Sequence, residues 1–235
     1  RVWEPAALAA WPWLRACVTT RHGGTSRPPF DSLNLSLAVG DDPQRVQANR
    51  QRLQRALGLE GQPLVQLSQV HGTRIWEAAD PAAREGDGWW TTTPGRVLVV
   101  GVADCVPCFL WDVETRRLAL VHAGWRGTAA GMLDTALRSF EQAGSRPQDL
   151  RVAFGPCIGP CCYPVDEQVA CRFPAPAVSR RDGVPHLDLR AANRLQAASH
   201  GLRPEHIEAE PPCTGCDTTT YFSHRKAAPR TGRMW

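Results

Sequence analysis

Residues 117–140 read RLALVHAGWRGTAAGMLDTALRSF. The run LALV near the start is short and apolar, which is typical of a strand buried inside a sheet. The glycines that follow predict a turn. In the second half, the apolar residues recur at spacings of three and four, as they do on one face of a helix. The stretch therefore predicts a strand at residues 117–121, a turn, and a helix that ends near Gly144.

Another helix is marked by its ends, at residues 42–57. Asp42 stands where a helix is capped, Pro43 occupies the first helical position, and Gly58 lies just beyond the last one. These are the positions at which such residues are most often found. The apolar residues of this segment fall on one stripe and the other face is polar, so we expect the helix to pack against the protein with one face.

The rest of the chain continues the alternation of strands and helices. Short apolar runs predict strands at residues 96–103 and 151–154, and residues 187–200 form a further predicted helix that stops at Gly201. No internal repeat or linker interrupts the sequence. We expect a single compact layered domain over residues 1–235, of the α/β (α+β) class, with a mixed sheet flanked by helices.

The composition argues against two classes of partner. With 43% hydrophobic and 21% charged residues, the chain has the composition of an ordinary globular protein. Its 27 basic residues are scattered among 23 acidic ones and the formal net charge is +4, so we expect no nucleic acid partner. No apolar stretch approaches the roughly 20 residues that a membrane-spanning helix needs, so we expect no membrane partner.

The cysteines indicate the redox setting. Nine is an odd number, in a chain too long to need disulfides for stability, and Cys161 and Cys162 are adjacent, which is awkward for disulfide geometry. We therefore expect a reducing, cytoplasmic setting. Cys213 and Cys216 form a CxxC motif, which fits half of a zinc ribbon or a redox pair. Since no second CxxC is present, two half-buried thiols in a loop are the simpler interpretation.

Three short motifs each place one metal ligand beside small, turn-forming residues. They are SQVHG at residues 68–72, VADCVP at residues 102–107 and HAGWRG at residues 122–127. Their ligands, His71, Cys105 and His122, make a set of two imidazoles and one thiolate. Three protein ligands with a fourth position open are typical of a zinc ion that performs chemistry rather than one that holds a fold.

Each of these residues, taken alone, has a simpler interpretation. A histidine after a strand is more often hydrogen-bonded within the structure, and a cysteine after a valine-rich strand is usually an inert core residue. All three, however, stand at the edges of apolar runs beside glycine or proline, where loops on a rigid scaffold carry function. With strands at residues 96–103 and 117–121, Cys105 and His122 are expected at the ends of neighbouring strands.

The order of these motifs resembles that of a known family. Further strings in the same order are TTRHGG at 19–24, SLNL at 32–35, GDDP at 40–43, NR at 49–50, GPCIGP at 155–160 and YFSHR at 221–225. With them, the chain resembles the YfiH family, also called the laccase-domain or multicopper polyphenol oxidase family, over almost its whole length. One departure is AAP at residues 227–229, where relatives more often have an Asp-Gly turn.

The resemblance implies a purine nucleoside enzyme with a compact α/β layered fold. Such proteins resemble zinc-dependent catalysts that cleave adenosine, inosine and S-methyl-5'-thioadenosine with phosphate, giving the free base and the ribose 1-phosphate or its methylthio analogue. They also deaminate adenosine. Carried over motif by motif, the family's catalytic metal ligands fall on His71, Cys105 and His122. The implied cofactor is Zn²⁺, and the implied partners are purine nucleosides and phosphate.

Phosphorolysis needs groups that hold phosphate and the nucleoside. Arg126 combines a guanidinium with a turn that opens a predicted helix, where backbone N–H groups favour anions. Arg21, beside two glycines, is the second candidate for contacting the substrate, and Asn34 is a candidate for hydrogen bonding to the nucleoside. Asp104, next to the cysteine ligand, is a candidate for orienting a ligand or donating a proton.

Three other functions would use the same residues differently. Cys105 activated by His122 would make a cysteine hydrolase of amide bonds, for example in the editing of cell-wall precursors. Copper-dependent oxidation of phenols is what the older family name implies, but such oxidases need many histidines, and only two of the seven lie in the three ligand motifs. The third is a zinc-stabilised binding module without catalysis.

Overall fold

A computed structural model describes residues 1–80, 83–208, 210–227 and 230–235 of the chain. Ala228 and Pro229, in the segment that departs from the family pattern, lie outside the described residues. The strands are β1 (Val2–Trp3), β2 (Val18–Thr19), β3 (Leu64–Gln66), β4 (Ile75–Glu77), β5 (Gly88–Thr91), β6 (Val97–Val99), β7 (Val106–Asp112), β8 (Leu118–Ala123), β9 (Leu150–Phe154), β10 (Val178–Arg181), β11 (Val184–Leu187) and β12 (Ile207–Glu208). The α-helices are α1 (Pro43–Leu57), α2 (Trp125–Ala129), α3 (Met132–Gln142), α4 (Glu167–Ala170), α5 (Leu189–Ser199) and α6 (His224–Ala227). Short 3-10 helices cover Ala6–Ala10, Leu37–Val39, Pro147–Asp149, Ala175–Ala177 and Pro204–His206.

The largest sheet is mixed. Its strands lie in the order β12-β9-β7-β8-β5-β4. β7 pairs antiparallel with both β8 and β9, and β8 pairs antiparallel with β5, whereas β12 is parallel to β9 and β4 is parallel to β5. Two antiparallel pairs, β1 with β2 and β10 with β11, and the parallel pair of β3 with β6 complete the strands described. The predicted α/β class with a mixed sheet and flanking helices is confirmed.

The central strand β7 is covered on both faces. Successive residues of a strand point to opposite sides of the sheet, and those of β7 accordingly divide between two apolar clusters. Cys108 and Leu110 belong to the cluster that includes the buried face of α3. Phe109 and Trp111 belong to a second cluster, built with segments from near both ends of the described chain. The sheet is therefore the middle layer of the fold.

β7 is also the strand that the sequence did not predict. A proline usually argues against a central strand because it has no N–H to donate. Pro107 is only the second residue of β7, and its carbonyl still accepts the N–H of Gly155 at 2.9 Å. The strand predicted at residues 96–103 is reduced to β6, which pairs with β3. The prediction that residues 96–103 form the strand next to β8 is therefore wrong, because it is β7 that pairs with β8, with Pro107 opposite His122. Cys105 and His122 nevertheless lie at the ends of neighbouring strands, since Cys105 directly precedes β7.

The helices predicted at residues 42–57 and 187–200 are both confirmed, but the second begins at a later residue than predicted. Asp42 caps α1 by accepting the N–H of Gln44 at 2.9 Å, as the sequence predicts. The helix predicted at residues 187–200 begins two residues later, as α5. Leu187 ends β11 instead, and the side chain of Asp188 caps the helix by accepting backbone N–H groups of its first turn.

The strand, turn and helix predicted from residue 117 to near Gly144 all form, but the helical part is divided in two. β8 is followed by the short α2 and then by α3, because Gly131 between them adopts φ +83°, a conformation that glycine tolerates best. The apolar face of α3, including Leu133 and Phe140, is fully buried. The predicted strand at residues 151–154 is β9. Among the described residues, every helix is too short or too polar to cross a membrane.

Candidate metal centre

The structure brings His71, Cys105 and His122 together at one edge of the central strands. His71 lies in the loop that follows β3, Cys105 directly precedes β7, and His122 is part of β8. One ligand atom from each residue lies within 4.8 Å of those of the other two. The two imidazole rings meet edge to face, with their centroids 4.9 Å apart and an angle of 68° between their planes.

The centre is open to solvent on one side. His122 is buried, with 3% of its surface exposed, Cys105 is half-buried, and His71 is exposed. The rigid strand therefore supplies the inner ligand and a surface loop supplies the outer one. The exposed part of the centre is therefore on the side of His71.

Gly124 is required by the close approach of two ligands to the backbone. A Cβ atom at this position would lie 2.9 Å from Sγ of Cys105 and 2.9 Å from Nδ1 of His71. Such distances are shorter than van der Waals contacts allow, so any side chain here would displace the ligands. The glycine of the HAGWRG motif therefore makes room for the centre as well as for the turn.

A buried carboxylate that the sequence motifs did not reveal holds two of the ligands. Asp87 is fully buried, and its Oδ1 lies 2.9 Å from Nδ1 of His122 and accepts the backbone N–H of His71 at 3.0 Å. Its Oδ2 accepts the N–H groups of Gly72 at 2.7 Å and Val70 at 3.2 Å. A carboxylate on Nδ1 makes that nitrogen the donor and leaves Nε2 of His122 free to act as a ligand.

Burial and charge oppose each other at this centre. Burial raises the pKa of the Cys105 thiol, but the positive charge and hydrogen bonds of His122 and His71 outweigh it and lower that pKa to about 6. Burial lowers the pKa of His122, but Cys105 and Asp87 outweigh it and raise that pKa to about 9. The sulfur is therefore held as a thiolate at neutral pH, which is the form of cysteine that binds metals.

These residues fit a metal cofactor. Two imidazoles and a thiolate converge, a carboxylate orients the inner imidazole, and Gly124 leaves the space between the ligands and the backbone free. A carboxylate behind a ligating histidine is the usual support for such a site because it fixes the tautomer and orientation of the ring. With three protein ligands, the centre also keeps room for a reactant.

Asp104 is held firmly in the fold, directly before the cysteine ligand. It is buried, with φ +93°, and its carboxylate accepts the hydroxyl of Thr214 at 2.6 Å and the backbone N–H of Arg225 at 2.6 Å. Its own carbonyl accepts the N–H of Ile158 at 2.9 Å. Asp104 therefore ties three later segments of the chain to the residue before Cys105, while Asp87 orients the histidine.

The three predicted substrate contacts differ in their surroundings. Arg126 is exposed, stacks on the ring of Trp125 at 4.4 Å, and lies two residues after Gly124. Its helix, α2, has only five residues, so the expected contribution of a helix dipole is small. Arg21 is already engaged, since its guanidinium donates to the carbonyls of two other residues and lies 4.7 Å from a phenylalanine ring.

Asn34 is fully buried, and its amide is used within the protein. Its nitrogen donates to the carbonyl of Ser36 at 3.0 Å and to Asp41 at 2.9 Å, and its oxygen accepts the N–H of Arg233 at 2.9 Å. A buried amide with these partners supports the folding of the loop. The predicted hydrogen bond from Asn34 to a nucleoside would have to replace one of them.

Other side chains around the centre were not singled out from the sequence. The guanidinium of Arg225 lies 4.7 Å from the ring of Tyr163. Burial raises the pKa of Tyr163 to about 12, and the charge of Cys105 adds to this rise. Burial also lowers the pKa of Arg233, and the charges of Cys105 and Asp104 oppose that change. Tyr163 and Arg233 therefore lie within electrostatic range of the thiolate.

The fold and site together define an α/β protein with a candidate metal centre of two histidines and one cysteine. The family profile described as "Multi-copper polyphenol oxidoreductase laccase" matches residues 15–235. The chain therefore belongs to that family, and the resemblance to YfiH proteins is confirmed.

Individual relatives agree with this assignment. The chain is 38% identical over 239 residues to "Purine nucleoside phosphorylase YlmD" of Geobacillus stearothermophilus, with 93% of this chain and 87% of that protein aligned. It is 36% identical over 233 residues to "Purine nucleoside phosphorylase YfiH" of Escherichia coli K12, covering 95% and 94% of the two chains. The crystal structure of the Geobacillus protein superimposes with a TM-score of 0.92 at 37% identity, over 100% of this chain and 94% of that one.

Proposed function

We propose that this protein is a zinc-dependent purine nucleoside phosphorylase. Its substrates would be adenosine, inosine and S-methyl-5'-thioadenosine, with adenosine deamination as a second activity. The observation that carries the proposal is the open ligand set of His71, Cys105 and His122, which lie within 4.8 Å of one another in a chain whose relatives bear the phosphorylase name.

The metal would be held by these three side chains. When bound, zinc supplies Lewis-acid chemistry, which suits hydrolytic removal of an amino group from a purine. A set of two imidazoles and one thiolate also binds copper in some proteins. Metal analysis of protein produced with both ions available distinguishes the two, and we expect zinc.

The residues around the centre suit phosphorolysis. In this reaction a phosphate oxygen bonds to the anomeric carbon of the sugar while the bond from that carbon to the purine nitrogen breaks, and the base departs with the electron pair and gains a proton. Arg126, Arg225 and Arg233 carry the positive charge that a phosphate dianion needs. Tyr163, whose pKa burial raises to about 12, keeps its proton at neutral pH and can donate a hydrogen bond to the departing base.

The test is incubation of the purified protein with adenosine, with and without phosphate, followed by chromatography of the products. We expect adenine and ribose 1-phosphate only when phosphate is present. Inosine should form in both conditions, and with phosphate part of it should be cleaved to hypoxanthine. Cys105→Ala should fold normally and lose both activities, whereas Cys171→Ser, at an exposed thiol outside the centre, should keep them. If Cys105→Ala unfolds, the metal serves the structure and the binding-module alternative is favoured.

One observation favours a second function. Cys105, His122 and Asp87 lie in series, with a thiol of low pKa, a histidine and a carboxylate behind it, which is the arrangement of a cysteine hydrolase. A hydrolase would be active without metal and would be inactivated by alkylation of Cys105. The phosphorylase would lose activity when a chelator removes the metal and recover it when zinc is restored.

We also propose that residues 1–235 act as one catalytic unit in the cytoplasm. Site residues come from segments as distant in sequence as His71 and Arg233, which supports a single domain. The thiolate ligand needs a reduced cysteine, and a reducing compartment provides it.

A further inference from the structure

Four cysteines outside the described centre form a second cluster. Cys161 and Cys162 lie in the loop after β9, and Cys213 and Cys216 lie in the loop after β12. Their four sulfur atoms all lie within 4.8 Å of one another. The CxxC motif, whose simpler interpretation was a pair of isolated thiols, therefore has the adjacent cysteines of another loop as its second half.

The distances between the sulfurs suit a tetrahedral metal ion. Sγ of Cys161 lies 3.5 Å from Sγ of Cys213 and 3.3 Å from Sγ of Cys216, and Sγ of Cys162 lies 3.6 Å from Sγ of Cys216. Four sulfurs at the usual zinc distance of about 2.3 Å from a common centre are about 3.8 Å apart. Cys161 has two sulfurs at nearly equal distance, so the geometry does not select one disulfide partner.

Backbone groups prepare the cluster for a charged ligand set. The N–H of Gly159 donates to Sγ of Cys213 at 3.1 Å, and a hydrogen bond of this kind stabilises a thiolate. The turn of the CxxC motif is closed by the N–H groups of Cys216 and Asp217, which donate to the carbonyl of Cys213 at 3.2 and 3.1 Å.

The two loops approach each other most closely at Gly215, where a side chain would not fit. A Cβ atom on Gly215 would lie 2.7 Å from Cβ and 3.1 Å from Sγ of Cys162. A Cβ atom on Gly159 would lie 3.3 Å from Sγ of Cys161 and 3.5 Å from Cβ of Cys213. Gly215 therefore lets its loop approach Cys162 of the other loop more closely than a side chain would allow, whereas Gly159 lies at ordinary contact distance from Cys213 of the other loop.

The same two loops are joined by the backbone and by the sheet. The N–H of Thr214 donates to the carbonyl of Cys157 at 2.9 Å, and the N–H of Cys157 donates to the carbonyl of Pro212 at 3.3 Å. β9 and β12, which precede the loops, are parallel neighbours, so both loops leave the sheet at the same edge. The four cysteines are therefore positioned by the fold.

We infer that Cys161, Cys162, Cys213 and Cys216 bind one Zn²⁺ ion in a closed structural site. As each zinc–sulfur bond forms, the thiol releases its proton to solvent, and no electrons are transferred. Four thiolates leave no position for a reactant, so this ion holds the structure, in contrast to the open centre at Cys105.

This second ion connects two loops to the catalytic centre. The hydroxyl of Thr214, next to Cys213, donates to Asp104 at 2.6 Å, and the N–H of Ile158 donates to the carbonyl of Asp104 at 2.9 Å. Asp104 is the residue before the ligand Cys105. Zinc bound to the four cysteines would therefore fix the segments that hold Asp104, and through it the position of the catalytic thiolate.

The decisive experiment counts zinc in the full-length protein purified under reducing conditions. Native mass spectrometry should find two zinc ions per chain in the wild type and in the control Cys171→Ser. The double variant His71→Ala/His122→Ala should retain one ion. After replacement of that ion by Co²⁺, the strong sulfur-to-cobalt absorption expected of four thiolates should appear in the near ultraviolet.

A second measurement does not depend on variants that fold. Zinc-edge X-ray absorption of the wild type should give about 2.5 sulfur neighbours per zinc at about 2.3 Å, because one site supplies four sulfurs and the other supplies one. One sulfur neighbour per zinc would overturn the proposal. So would a folded His71→Ala/His122→Ala protein that binds no zinc and whose four cysteines react as free thiols or form disulfides.

Discussion

Replacing Asp87 by asparagine tests how much the buried carboxylate supports the centre, because it leaves all three proposed metal ligands unchanged. The asparagine oxygen can still accept hydrogen bonds from one side, but its NH₂ group then faces N–H donors. If the oxygen stays with His122 and His71, the amide nitrogen meets the N–H groups of Gly72 and Val70, which the carboxylate accepts at 2.7 and 3.2 Å. Two hydrogen bonds to a charged group are lost, at about 1.5–3 kcal/mol each.

We therefore expect Asp87→Asn to lower the free energy of unfolding of the zinc-free protein by about 3 kcal/mol or more. Zinc affinity at the three-ligand centre should fall by about 10–100-fold, because a neutral amide oxygen on Nδ1 raises the basicity of the His122 imidazole less than the carboxylate does. The first quantity is measured by urea denaturation of chelator-treated protein. The second is measured by competition with a chromogenic chelator, after the four-cysteine site has been removed by substitution.

Asp112→Asn is the matched control. Asp112 is also a buried carboxylate that accepts backbone N–H groups, at 2.8 and 2.9 Å, but it stands at the opposite end of β7 from Cys105. This variant should keep wild-type zinc affinity. The reasoning is refuted if folded Asp87→Asn binds zinc within a factor of two of the wild type, because the carboxylate would then have no part in orienting the ligands.

Other expectations follow from single contacts. Gly124→Ala should keep the circular dichroism of the native fold but lose zinc at the three-ligand centre, because its Cβ would lie 2.9 Å from two ligand atoms. In chelator-treated protein, alkylation of Cys105 by iodoacetamide, followed by peptide mass spectrometry, should rise with pH through a midpoint of about 6, where its thiolate forms. Cys108, whose pKa burial raises far above the usual range, should stay unmodified at neutral pH. Phe140→Ala, at a fully buried position, should cost about 3–5 kcal/mol in urea denaturation.

Specific results contradict each of these expectations. Full zinc occupancy in Gly124→Ala would mean that the backbone moves away from the ligands at little cost. A midpoint near pH 9 for Cys105 would mean that the histidines do not stabilise its thiolate. A loss of less than about 1 kcal/mol in Phe140→Ala would mean that α3 does not depend on this side chain for its packing.

Features that are determined by residues close together in the sequence could be predicted. The ends of α1 follow from Asp42 and Gly58, and the apolar face of α3 follows from its spacing. The ligands could be found because each lies in a motif with small neighbours. In these cases the residues that determine the feature lie in the same stretch of sequence as the feature itself.

Residues whose role depends on partners distant in the sequence could not be predicted. Asp87 stands alone between two glycines, and its sequence neighbours do not indicate that three N–H groups and an imidazole meet it in space. β7 was not predicted, and it tolerates Pro107 because the proline stands near the start of the strand. The adjacent cysteines at 161 and 162 were weighed as a poor disulfide, although together with a CxxC motif in another loop they complete a group of four.

The placement of His122 inside β8, rather than beyond it, has a consequence for how this protein can vary. The imidazole ring belongs to a residue of β8, and the residues on either side of it, Val121 and Ala123, are fully buried against the helices. A substitution that shifts this strand by even a fraction of an ångström moves the proposed ligand nitrogen of His122 by the same amount. Mutations in the core near β8 should therefore lower the rate of the proposed reaction at a degree of destabilisation too small to unfold the protein.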